Sequence, residues 1–201
     1  MTILTWNVRG INKKGRKQDV IDHIKLLSPS IVALVETKVK SSKIGRLAGC
    51  VPRHWLSCHN FEQSSEGRIW ISWHTDIWTC TVTSVSIQQI TLCVKNKGGL
   101  EGYLSVVYGL NTHDERLHLW KELQVLNISH APWFLTGDFN TARFTNEKVG
   151  GKPLSYQQLS SFNDFVNVCS LLDLKSVGAI KAWLVTKLLE DWIELSVTLN
   201  G

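Results

Sequence analysis

Three apolar runs in this 201-residue chain stop abruptly at an amide or a carboxylate. Ile3-Leu4-Thr5-Trp6 ends at Asn7, Ile31-Val32-Ala33-Leu34-Val35 ends at Glu36, and Trp133-Phe134-Leu135 runs through Thr136-Gly137 to Asp138, with Asn140 two residues on. Short continuous runs of this kind read as central strands that need cover on both faces. Between the first two runs, Val20, Ile21, Ile24 and Leu27 form one stripe at helical spacing over Lys17 to Leu27, and Ser28-Pro29-Ser30 stops it. A strand–helix–strand opening suits a layered α/β architecture. If the three strand ends share one rim, Asn7, Glu36, Asp138 and Asn140 meet there. Two acids and two amides make a hard, oxygen-rich set suited to Mg²⁺ or Mn²⁺ beside a phosphate.

The middle of the chain has a different rhythm. Arg68 to Trp73, Trp78 to Val85, Ile90 to Val94 and Tyr103 to Tyr108 are short, β-branched and aromatic, and separated by breaks such as Lys95-Asn96-Lys97-Gly98-Gly99. That pattern predicts an antiparallel meander. Asp114 to Leu126 reads as a helix with Leu119, Leu123 and Leu126 on one face. Ser155 is placed to cap a second helix carrying Leu159, Phe162, Phe165, Val166 and Cys169. Leu171 to Leu174 can start a further strand. From Ala179 to Leu199, Ile180, Leu184, Leu188, Trp192 and Leu195 share one helical face, and this predicts an amphipathic helical tail.

Hydrophobic residues make up 43% of the chain, enough for a core and too many for disorder. Nine tryptophans require that several be buried, and those on predicted strands (Trp6, Trp70, Trp73 and Trp78) read as core. Five cysteines with no Cys-x-x-Cys argue for reduced, mostly buried thiols rather than zinc or a disulfide framework. No signal-peptide pattern opens the chain, and no stretch approaches the ~20 apolar residues of a membrane span. Residues 1–50 hold ten Lys/Arg against three Asp/Glu, a local net of +7 in a chain of net +5. Such a basic quarter fits a polyanionic partner, although charge alone is met more simply by a solvated helix face plus a loop.

Five segments in order resemble the endonuclease/exonuclease/phosphatase superfamily, and in particular the apurinic-type endonuclease domain of plant non-LTR retrotransposons. They are Thr5-Trp6-Asn7-Val8-Arg9-Gly10, Val35-Glu36-Thr37-Lys38, Gly67-Arg68-Ile69-Trp70-Ile71-Ser72-Trp73, Val107-Tyr108-Gly109-Leu110-Asn111 and Gly137-Asp138-Phe139-Asn140-Thr141. The resemblance covers residues 1–178 and leaves 179–201 as a divergent tail. It implies a four-layer α/β sandwich, two mixed β-sheets face to face with helices outside, incomplete at the C-terminus. It also implies Mg²⁺- or Mn²⁺-dependent cleavage of a DNA phosphodiester; the expected location is intracellular, nuclear if functional, and the apolar patterning gives no expectation of a membrane partner. Val8-Arg9-Gly10 and Gly67-Arg68-Ile69-Trp70 lean against a phosphoinositide- or nucleotide-phosphatase branch.

By that resemblance Glu36 binds the metal and Asn7 lies beside it. Asp138 orients or deprotonates the attacking water, which needs a positioned acceptor at neutral pH. Asn140 donates to a phosphate oxygen as charge builds there. Tyr108 and Asn111 serve the phosphate side, although a tyrosine at a strand end is as readily a half-buried packing residue. Lys13, Lys14, Arg16 and Lys17 form a basic loop on the catalytic rim. Arg116 falls near positions that contact the DNA backbone, or else sits on an exposed helix face.

The family carries two further elements after this point: an Arg-Leu-Asp-type segment and a Ser-Asp-His ending. All seven histidines here (His23, His54, His59, His74, His113, His118 and His130) lie upstream, and none follows Ser-Asp. The expectation is a retrotransposon-derived domain with impaired chemistry, weak stability and an unpaired sheet edge. A residual nucleic-acid-binding module or a nonfunctional remnant is the alternative.

Overall fold

A computed structural model describes residues 2–64, 66–126, 128–147, 153–173, 182–185 and 195–200. Strand β1 (Thr2–Asn7) leads to helix α1 (Arg16–Leu27), β2 (Ile31–Lys40), a short helical turn α2 (Gly45–Ala48), β3 (Leu56–His59) and β4 (Glu66–Trp73). Then come β5 (Trp78–Val85), β6 (Gln89–Asn96), β7 (Glu101–Tyr108), α3 (His113–Leu126) and β8 (Trp133–Asp138). Helix α4 (Tyr156–Val168) precedes β9 (Leu171–Asp173), β10 (Ala182–Val185) and β11 (Leu195–Asn200).

The strands form two mixed sheets, ordered β11-β1-β2-β4-β3 and β5-β6-β7-β8-β10-β9. They pack face to face because alternate residues of each are apolar. Ile3, Ala33, Val35, Ile69 and Ile71 of the first sheet meet Ile90, Leu92, Leu104, Val106 and Phe134 of the second, all fully buried or within 1% of it. The central strands are apolar on their other faces too, and helices cover those. Val20 and Ile24 of α1 pack on Leu4, Trp6, Val32 and Leu34. Leu119, Trp120 and Leu123 of α3, with Phe162, Phe165 and Val166 of α4, pack on Val107 and Leu135. The result is the four-layer α/β sandwich implied by the motifs. Trp6, Trp70, Trp73 and Trp78 are buried. Ser155 caps α4 in a full capping box with Gln158.

The fold departs from the sequence reading at four points. The segment Arg68–Trp73 does not join the meander; β4 pairs antiparallel with β2 in the first sheet, and only β5, β6 and β7 form the meander. Alternation identifies a strand but not its partner, and here the loop at His74–Ile77 carries the chain from one sheet to the other. Strand β3 escapes notice because Leu-Ser-Cys-His has little apolar signal. Four of the five free cysteines are only half-buried, with Cys50 alone buried.

The tail is the fourth. Its described residues are strands, not helix: β11 runs parallel to β1 from Thr2↔Leu195 to Asn7↔Asn200, and β10 pairs antiparallel with β8. Leu195-Ser-Val-Thr-Leu-Asn alternates with period two, and the open ladders of β1 and β8 reward that alternation over helical spacing. An unpaired sheet edge was expected from the loss of the final strands; β11 instead pairs with the outer side of β1. Ile180, Leu188 and Trp192 of the expected apolar stripe lie outside the described residues.

Candidate active site

Strands β1 and β8 cross from opposite sheets and present matching inward faces. Residues i and i+2 of a strand share a face. On β1 these are Ile3, Thr5 and Asn7; on β8 they are Phe134, Thr136 and Asp138. The apolar pair lies in the core, and the next two pairs are polar. Thr136 Oγ1 donates to Thr5 Oγ1 at 3.0 Å, and Asn7 Nδ2 donates to Asp138 Oδ2 at 2.6 Å. A hydrogen bond to a charged acceptor contributes about 1.5–3 kcal/mol. This one clamps the two sheets at the rim. Asn7 Oδ1 accepts the Arg9 N–H at 3.0 Å, which turns the chain away beyond the strand.

Glu36 comes to the same rim because Asn7 and Val35 are register partners. Beyond Val35 the ladder to β4 is interrupted until Val39, and Glu36 and Lys38 take left-handed φ of 53° and 52°. Gly10 and Ile11 donate their N–H groups to Glu36 O and Thr37 O at 2.9 and 3.0 Å. Thr37 Oγ1, fully buried, donates to Gly67 O at 2.6 Å. The irregular stretch is thus pinned on both sides. It holds a Glu36 side chain 16% exposed, with Lys38 Nζ 2.7 Å from Oε1.

Tyr108 ends β7 as the register partner of Asp138. Burial raises its pKa most, and the charges of Glu36 and Asp138 raise it further, against Arg68 and Lys38. Both carboxylates therefore act on one phenol, which stays protonated at neutral pH as a hydrogen-bond donor. The next turn is equally constrained. Gly109 N donates to Asp138 O at 2.7 Å, and Asn140 Nδ2 donates to Gly109 O at 2.6 Å. Asn140 N donates to Asp138 Oδ1 at 2.9 Å in an Asx turn, with Asn140 at a left-handed φ of 48° that asparagine tolerates. A Cβ on Gly109 would lie 2.5 Å from Phe139 O. Phe139 points the other way, toward Trp120 and Phe162 at 6.2 and 5.6 Å between centroids.

The strand ends therefore bring Asn7, Glu36, Asp138 and Asn140 to one rim, with Tyr108 beside them. Asn7 is committed to Asp138 and Arg9, so it organises the carboxylate more than it offers an oxygen to a metal. Asn111 is exposed, and its carbonyl is held by Arg116. Arg116 itself is corrected. It is buried to 2% exposure, and its Nη1 donates to Leu110 O and Asn111 O at 2.7 and 2.9 Å. Position 116 lies three and seven residues before Leu119 and Leu123, on the inward stripe. That spacing was legible. Lys13 and Lys14 are exposed beside the rim, and Arg16 lies over the Trp6 ring at 5.7 Å. Lys17 leans instead toward Gly49, its Nζ 2.9 Å from where a Cβ there would stand.

Gln88 was missed. Its backbone carbonyl accepts Tyr108 N–H at 2.8 Å, while its side-chain Oε1 accepts Leu110 N–H at 2.8 Å and its Nε2 donates to Glu115 O at 2.9 Å, so one residue aligns strand end, loop and helix start. No sequence signal marks it. Arg68, quoted only as part of a motif, places its guanidinium 5.4 Å from the Tyr108 ring centroid.

Among the described residues no group of three or more His, Cys, Asp or Glu is clustered to cage a metal. The donor set nonetheless fits a hard divalent ion. A single carboxylate is what Mg²⁺ commonly takes from protein, with water and substrate phosphate supplying the rest. Glu36 already holds a cation, the Lys38 ammonium, at contact distance.

The family model described as Endonuclease/Exonuclease/phosphatase family matches residues 4–174. No curated protein sequence matches the chain. Among solved structures, an AP endonuclease from Leishmania major superposes with TM-score 0.65 at 11% identity, over 90% of this chain and 78% of that one. An AP endonuclease from Archaeoglobus fulgidus gives 0.59 at 16%, over 91% and 86%. The human Nocturnin catalytic domain with bound sulfate gives 0.57 at 12%, over 89% and 80%. At these identities the likeness is one of fold.

Proposed function

The chain belongs to the Endonuclease/Exonuclease/phosphatase family, and we propose that it is a divalent-metal-dependent phosphodiesterase acting on DNA, slow in turnover. The observation that carries the reading is the 2.6 Å hydrogen bond from Asn7 to Asp138 at the rim where Glu36 also stands. It fixes Asp138 of the second sheet beside Asn7 of the first, and the register partner of Asn7, Val35, directly precedes Glu36.

In this reading Glu36 holds Mg²⁺ or Mn²⁺, which when bound offsets charge on the phosphate and its leaving oxygen. Asp138, oriented by Asn7 and by the Asn140 N–H, accepts a proton from the attacking water. Tyr108, neutral, donates to a phosphate oxygen. The second N–H of the Asn140 amide, beyond the one given to Gly109 O, faces the same task. Lys13 and Lys14 bind flanking phosphates, so affinity falls steeply with salt. The motif order further supports an origin in a plant-type non-LTR retrotransposon, which a reverse-transcriptase reading frame in the adjoining genomic sequence would test.

Supercoiled plasmid provides the assay. We expect slow nicking that needs Mg²⁺ or Mn²⁺, stops with chelator, and disappears in Glu36→Ala and Asp138→Ala. Nicking that survives both substitutions would remove the reading. Salt-sensitive DNA binding with no nicking would favour a non-catalytic nucleic-acid module, which the exposed Lys13 and Lys14 also suit.

A further inference from the structure

Arg68 stands on β4 opposite the interrupted stretch of β2 that carries Glu36. Val39 pairs with Gly67 on one side of it, and Val35 pairs with Ile69 on the other. Its own backbone is fixed from both sheets. The N–H groups of Arg68 and Ile69 donate to Asn60 Oδ1 at 3.3 and 2.9 Å. Asn60 Nδ2 in turn donates to Ser86 O and Ile87 O at 3.0 and 3.1 Å, in the turn before β6. Asn60 is 1% exposed, so this anchor does not yield easily.

The side chain from that fixed point covers the Tyr108 ring, yet its polar needs are not met. Arg68 Nε is buried and has no hydrogen-bond partner. Among the described residues no ion pair involves it, although Glu36, Glu115 and Asp138 all lie around the same rim. A buried donor left without an acceptor is destabilising, and more so when it is charged. Stacking on the ring face does nothing for an in-plane N–H. A packing role alone thus leaves the buried Nε unexplained. An acceptor arriving at the rim would satisfy it. The guanidinium presents a planar fork, and its natural complement is an anion with two coplanar oxygens.

We infer that Arg68 binds the phosphodiester at the site, its fork engaging the two non-bridging oxygens from the Tyr108 side. This rests on the phosphodiesterase reading above. It also answers an electrostatic problem within that reading, because Glu36 and Asp138 repel a phosphate that must come between them. Arg68 supplies a fixed positive charge on the third side. As attack adds negative charge to those oxygens, a donor already in place stabilises the transition state more than the ground state.

The test compares wild type with Arg68→Gln, Arg68→Lys and the control Lys121→Gln, an exposed cation on α3. Each is checked for wild-type thermal unfolding, then assayed for plasmid nicking with Mg²⁺ and for short-duplex binding with Ca²⁺ over a salt series. We expect Arg68→Gln to lower nicking kcat/KM by about 10²–10³-fold and to reduce the slope of log K against log salt by about 0.9. Arg68→Lys should keep the slope but regain only part of the rate, since it keeps the charge and loses the fork. Lys121→Gln should change neither. Wild-type nicking with Arg68→Gln within twofold of it would overturn the assignment and leave the phosphodiesterase reading intact. If wild type binds without nicking, that reading of catalysis fails and the salt slope alone decides: a reduced slope sustains phosphate binding by Arg68, an unchanged slope rejects it. Wild type that neither binds nor nicks would overturn both.

Discussion

Removing the Asn7 side chain would strip two groups of their partners at once: Asp138 Oδ2 loses its donor and the Arg9 N–H its acceptor. Asn7→Ala should therefore destabilise the protein by about 1.5–3 kcal/mol. The expected signature is a lower urea midpoint with an unchanged m-value. A shift below about 0.5 kcal/mol, the range of ordinary surface substitutions, would mean the two sheets are not clamped at this point. Tyr108 gives a second residue-scale prediction. Its pKa lies above the ordinary 10.0, chiefly through burial and then the nearby Glu36. The neutral phenol is the form the fold favours. Its stabilising contribution is complete below the unfolded value near 10 and is lost as pH rises through the higher folded value. Ultraviolet titration should show one tyrosine ionising late, and Tyr108→Phe should delete that component. A titration unchanged by the substitution would refute the buried setting. Residues of this kind were legible unevenly. Asn7, Glu36, Asp138 and Asn140 each terminate an apolar run, and a polar side chain at such a place is conspicuous. Gln88 and Asn60 sit in polar stretches where nothing distinguishes them from solvated neighbours, and only the meeting of two sheets gives them work.

Among the elements, β8 delivers Asp138, and Gly137 decides how. Its φ is +131°, and a Cβ there would run into the Val107 carbonyl oxygen of the neighbouring strand. Gly137→Ala should cost about 1–3 kcal/mol from backbone strain alone and displace Asp138, so unfolding and nicking should both suffer. A variant with native stability and rate would show that β7 and β8 are farther apart than described. Helix α3 starts beside the site, with Thr112 and Glu115 in reciprocal contact: Glu115 Oε2 accepts from Thr112 Oγ1 at 2.5 Å and from Thr112 N at 3.2 Å. Those bonds lower the Glu115 pKa. The sign follows: the cap is fully present above the ordinary value of 4.5 and weakens as pH falls through the lower folded value. Circular dichroism of Glu115→Gln against wild type over the acid range should show a smaller loss of helix on acidification in the variant; parallel curves would contradict the cap. The long helices α1, α3 and α4 were legible, since an apolar stripe at helical spacing is a local property, joined in α4 by the Ser155 cap. Strand partnership is not local. The β-branched, alternating run Arg68–Trp73 looks like its successors, and only the register with Ile31–Val35 reveals which sheet it joins.

At the scale of the molecule, the sandwich depends on strands whose sequence reads ambiguously. Strand β1 is central in its sheet only because β11 covers one side of it, and β8 has β7 on one edge and β10 on the other. The two strands that carry Asn7 and Asp138 thus each rely on a partner from residues 182–200. Apolar spacing there favoured a helix, yet a helix would leave two ladders of backbone N–H and C=O groups unpaired at the heart of both sheets. Long-range pairing wins because buried backbone groups must find partners. The consequence can be tested by ending the chain at residue 181. The shortened protein should expose both ladders and adjoining apolar faces, lose its single cooperative transition, bind a hydrophobic dye and form larger species in light scattering. Because the same strands hold the site, DNA binding at low salt should weaken as well, even though every proposed contact residue is retained. If the shortened chain instead unfolds cooperatively at the wild-type midpoint, β10 and β11 contribute nothing, and the sandwich must be complete without them.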